Sequence, residues 1–172
     1  MIALFRLFLD IAVWRRGPQD LPGSPTLLSL CAVAYLGVSF VQARIQRFPF
    51  ASAGLLSVLD LVFLAGVIAL ILSIRNKRER WLQTMTALLG VGTLIGLLDL
   101  AVTVPILATE NTGASIAWFL VSLAVILLVV GRILQLALDT RFLVGISLTY
   151  AILLIESFLV LLVPERLPVT GG

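Results

Sequence analysis

The chain has 172 residues, of which 60% are apolar and 12% charged, with a formal net charge of +3. Soluble domains carry about a quarter of their residues as charges, so this composition cannot furnish a water-facing exterior. It excludes a disordered chain, a disulfide scaffold and a soluble globular domain, and it points to an integral membrane protein. Histidine is absent and Cys31 is the lone cysteine, which removes imidazole acid–base chemistry, internal disulfides and His/Cys metal sites. Cys31 lies in an apolar run, where a thiol behaves as a small hydrophobe. The high isoelectric point, about 9.8, comes from basic residues that flank apolar runs. That is a membrane-orientation signal, not a nucleic-acid footprint.

Residues 1–16 open the chain with an amphipathic segment too short to span. Arg6 and Asp10 are four apart and share one narrow face, while Leu4, Phe5, Leu7, Phe8, Ile11 and Trp14 cover the rest. The pattern predicts an interfacial helix, with Arg15 and Arg16 among anionic head groups or the helix packed on the bundle. Its two charges and the following Arg15-Arg16 argue against a secretory signal peptide. Residues 17–25 contain three prolines and two glycines and predict a stiff, non-helical elbow.

Five apolar stretches then follow, at about 26–43, 50–74, 81–106, 115–138 and 142–163. A helix needs about 20 apolar residues to cross the hydrocarbon core, and backbone groups in lipid must be satisfied internally. The period-two alternation of a β-barrel strand is missing. The expected fold is therefore an all-α integral membrane protein, with five transmembrane helices in an antiparallel bundle behind the interfacial helix. Ser24 and Pro25 suit the start of the first span, Pro105 lies near the end of the third, and Pro164 stops the fifth.

With the amino terminus on the cytoplasmic side, the inner segments hold Arg6, Arg15, Arg16, Arg75, Lys77, Arg78, Arg80, Arg132 and Arg141. The outer segments hold only Arg44, Arg47 and Arg166. This bias predicts the amino end inside and the carboxyl end outside; with the compact loops it favours a bacterial inner membrane, with an organellar membrane as the alternative. Trp14 and Trp81 fall at the inner boundary and Trp118 near the outer one, as interfacial anchors.

Charges within the spans are the candidate functional residues, because charge at membrane depth is costly and must face a partner or the bundle interior. Asp60 lies about ten residues from the outer end of its span, and Asp99 and Glu156 about seven from theirs, so all three sit roughly 10–15 Å deep. Three acids at one depth form a candidate proton or cation relay, or an interhelical hydrogen-bond cluster. Arg132, in the inner part of the fourth span, is placed to snorkel to the interface. The contexts Leu59-Asp60-Leu61 and Leu98-Asp99-Leu100 resemble the paired aspartates on adjacent helices of intramembrane aspartyl proteases. Those families carry Tyr-Asp and Gly-x-Gly-Asp, and this chain departs from both patterns. Gly92 and Gly96 form a GxxxG, a helix-packing face. Leu167-Pro168-Val169-Thr170-Gly171 matches the sortase pattern, but it follows the last span instead of preceding one, so cell-wall anchoring is not expected.

With no catalytic motif and no cofactor motif, the expected role is non-enzymatic: an accessory or scaffold subunit of a larger membrane complex. Its partners would be the bilayer and other subunits or copies of itself. The alternative is a small proton- or cation-coupled transporter or channel using the three acids, and a carboxylate-dependent intramembrane enzyme ranks third.

Overall fold

A computed structural model describes residues 2–109 and 111–162, and among these residues every regular element is helical. Helix α1 spans Ile2–Ala12, α2 Pro25–Ile45, α3 Phe50–Ile74, α4 Trp81–Ala108, α5 Thr112–Leu138 and α6 Phe142–Leu162. Helices α2 to α5 are long and apolar enough to cross a membrane. The apolar α6, 21 residues long, makes a fifth. The tail at 164–172, with Arg166 and the sortase-like pattern, lies outside the described residues.

Helix ends follow local chemistry. Ser24 caps α2 by accepting from the Leu27 amide at 3.4 Å, with Pro25 in the first turn. Helix α4 runs through Pro105 to Ala108, further than expected, because a proline close to a helix end disturbs few backbone bonds. Asn111 caps α5 by accepting from Ala114 N at 3.0 Å, so α5 begins before residue 115. Leaving α5, Asp139 adopts the left-handed conformation (φ 49°), which Asp tolerates better than most residues. The elbow differs from expectation. It contains one 3-10 turn, Pro18–Asp20, closed by Gly17 N–H donating to Asp20 Oδ2 at 2.9 Å. Proline suits such a turn because its φ is already set and its missing N–H falls where none is needed.

Helix α1 docks on the side of the bundle. Phe8 and Ile11 are buried against α4, and the Phe8 ring lies where a Cβ on Gly90 would stand. Phe5, Leu9 and Val13 stay exposed on its other side. The elbow is tied down too, by Gln83 Nε2 donating to Leu21 O at 2.9 Å.

The transmembrane helices form a ring in the order α3, α2, α4, α5, α6, with only a light contact closing α6 onto α3. Chain neighbours are not always the best-packed neighbours. Helices α2 and α4 run parallel, side by side, and pack more extensively than α3 and α4. Gly92 faces the Tyr35 ring, and Gly96 faces Val38 and Gln42. The GxxxG is thus an intrachain face. In lipid, helices gain nothing from escaping water, so close backbone approach through small residues supplies the attraction. A second such contact joins α5 and α6, where a Cβ on Gly145 would collide with the Gly131 carbonyl. The main core gathers at the end that carries the 75–80 loop, around Ile68, Leu72, Met85, Leu89, Ile133, Leu134 and Leu138.

Candidate functional site: an acid-lined cleft

At the opposite end the packing loosens, and a cavity of about 210 Å³ opens between α2, α3 and α6. Its polar lining is Ser39 and Gln42 from α2, Gln46 just past its end, Ser57 and Asp60 from α3, and Glu156 from α6. Tyr35 Oη donates to Asp60 Oδ2 at 2.8 Å, and the Glu156 carboxyl lies against that of Asp60. Among the described residues no Lys or Arg forms an ion pair with either acid.

Asp99 belongs to a separate arrangement. Its Oδ1 accepts from Trp118 Nε1 at 2.9 Å, Ser122 Oγ at 3.1 Å and Thr103 Oγ1 at 3.4 Å, and its Oδ2 accepts from Gln42 Nε2 at 3.1 Å. Four neutral donors from α2, α4 and α5 converge on one carboxyl, which cross-links the three helices. The three acids therefore do not converge. Asp60 and Glu156 meet at the cleft, while Asp99 is spent on interhelical bonds. Asp60 and Asp99 keep separate sets of partners, unlike the aspartate pair of an intramembrane protease. Gln42 joins the two sets, lining the cleft while bonding Asp99.

Charge alone does not mark the α2 contribution, because its residues are neutral. Its signal is nonetheless in the sequence, because Tyr35, Ser39, Gln42 and Gln46 recur at helical spacing along an otherwise apolar span. Arg44, at the same end of α2, is spent on the Phe48 carbonyl.

At the other end, the basic block is partly paired. Lys77 and Arg80 both bind Asp139 in the α5–α6 turn, the second at 3.0 Å. Arg80 also reaches the Ala137 carbonyl at 3.3 Å, close to the negative end of α5. Hydrogen bonding from Lys77 and the positive charge of Arg80 hold the Asp139 carboxyl below its ordinary value. Arg15, Arg16, Arg75 and Arg78 are exposed, with Arg16 beside Asp10 at 3.8 Å.

Each tryptophan has an intramolecular partner. Trp118 donates to Asp99, and Trp81 Nε1 donates to the Ala65 carbonyl at 3.4 Å. Trp14 meets Phe142 edge to face at 5.3 Å, and the Arg132 guanidinium lies 5.9 Å from the centre of a Trp14 ring. Cys31 is buried in the core as a small hydrophobe. Among the described residues no group of three or more His, Cys, Asp or Glu could hold a metal ion. Against protein-family models, curated proteins and solved structures, the chain finds no match.

Proposed function

We propose that the protein is a small, non-enzymatic inner-membrane protein that takes up a proton or small cation at the cleft between α2, α3 and α6. One observation carries this reading: Asp60 and Glu156 line the same partly polar cavity from α3 and α6, with no cation paired to either among the described residues. Two facing carboxyls repel when both are charged, so the pair calls for a proton or a cation between them. Tyr35 holds Asp60 in place, and the light α3–α6 contact leaves a side on which the cleft can widen. The main core lies at the other end of the bundle, so transport through this site requires that core to part. The excess of Lys and Arg at the core end supports a cytoplasmic placement for that end.

The test is cation and proton flux in proteoliposomes. Asp60→Asn and Glu156→Gln are each expected to cut flux at least about tenfold, the scale of losing an essential charge. Asp99→Asn is expected to spare flux. Flux that survives both cleft changes overturns the reading.

A second reading is an accessory subunit. It is favoured by the outward apolar face of α5, where Phe119 is 64% and Leu120 58% exposed. Wild-type protein with no flux above empty vesicles, co-purifying with one membrane partner in fixed ratio, selects that reading.

A further inference from the structure

Among the described residues Arg132 is a cation with no anion paired to it. Its Nη1 donates to Gln135 Oε1 at 2.6 Å, and its Nε is buried with no acceptor among those residues. The residue lies about six positions from the end of α5, roughly 9 Å at 1.5 Å per residue, within snorkelling reach of the interface. Around it the chain assembles an aromatic bracket: Trp14 stacks on the guanidinium and Phe142 packs against Trp14. Trp14 takes up a left-handed backbone (φ 65°) at the end of α1, an outlier for a bulky residue. The residues next to the two rings in sequence are Arg15 and Arg141, both exposed and in no ion pair among the described residues. Arg15 and Arg141 thus adjoin in sequence the two rings that bracket Arg132, where the segment after α1 meets α5 and the start of α6, at the end of the bundle that holds the main core.

We propose that this junction binds the phosphate of an anionic phospholipid, with Arg132 as the principal cation. A guanidinium presents a planar fork of donors that suits phosphate oxygens. Tryptophan belongs at the head-group level, and juxtamembrane cations attract anionic lipid. A lipid phosphate would give Arg132 the countercharge that its protein neighbours lack. Docking α1 against α4 through Phe8 and Gly90 is what brings Trp14 over Arg132, so the site depends on the tertiary position of that helix.

The experiment is native mass spectrometry of the full chain released from mixed micelles of phosphatidylglycerol and phosphatidylcholine, with retained lipids counted. Wild type is expected to retain phosphatidylglycerol preferentially. Arg132→Gln is expected to reduce that preference about fivefold, the contribution of one interfacial cation. Arg75→Gln with Arg78→Gln, in the exposed loop, is expected to leave it unchanged. Should Arg132→Gln fail to fold, Arg15→Gln with Arg141→Gln provides the same readout at exposed positions and is expected to reduce the preference. A preference that survives the Arg132 change, or that follows the loop arginines instead, overturns the site. Inorganic phosphate, added alone, displacing phosphatidylglycerol at millimolar concentration would overturn the lipid assignment in favour of a free-phosphate site.

Discussion

From Thr84 to Val91 every residue of α4 is buried, whereas from Leu97 to Ala108 none is. The same helix thus lies in two environments. In its first half it is wrapped by α1, the elbow, α2 and α5, and apolar side chains interlock around it. In its second half it faces lipid on one side and turns its polar groups, Asp99 and Thr103, toward α2 and α5. The difference teaches where each kind of attraction acts. Packing of apolar surface and small residues holds the end with the basic loop, while the end with the acids combines a smaller apolar cluster, Ala43, Phe48, Ala53 and Leu56, with hydrogen bonds between scattered polar groups. A bundle held that way can keep a partly polar cavity, because the apolar cluster at that end is small and the helices beside the acids meet at bonded points.

The sharpest way to break the packed half is to push its helices apart. Gly145→Ala sets a Cβ against the Gly131 carbonyl, and backbone cannot move aside as a side chain can. A loss of about 3 kcal/mol is expected, the upper part of the range for overpacking, read as a shift in an unfolding titration in mixed micelles. Leu134→Ala, at a position 1% exposed, should cost about 2 kcal/mol in the same titration. That is the lower part of the range for buried leucine, because lipid also solvates the leucine of the separated helices. Its counterpart in the open half, Leu98→Ala, is 61% exposed and should stay within about 0.5 kcal/mol. Equal losses at the two leucines would erase the distinction between the halves.

The smallest effect concerns the loops that join the packed half. Since the Asp139 carboxyl is held below its ordinary value of 3.8, its pairing with Lys77 and Arg80 stabilises the fold above that value. The contribution disappears as pH falls through the lowered one. The gap in melting temperature between wild type and Asp139→Asn should hold steady from about pH 7 to 5 and close below about pH 4. A gap that widens with acid would show that the pairing is not its source.

Composition and run length alone determined the membrane class, the helix count and the approximate spans, because lipid leaves the backbone few choices and a crossing helix must be long and apolar. The separate charges at 60, 99, 132 and 156 were equally visible, since any charge within an apolar run stands out. Residue depth, however, is a coordinate along one axis only. It put the three acids at one level and left open which helix faced which. That was decided by tertiary structure. The parallel seating of α2 on Gly92 and Gly96 aims Tyr35 at Asp60 and Gln42 at Asp99, which divides the acids into a pair at a cleft and a single cross-link. Rotation about a helix axis and the order of helices around a ring depend on contacts between distant residues. Apart from the polar stripe of α2, Tyr35, Ser39, Gln42 and Gln46, the nearly uniform apolar helices carry no periodic pattern that records those contacts.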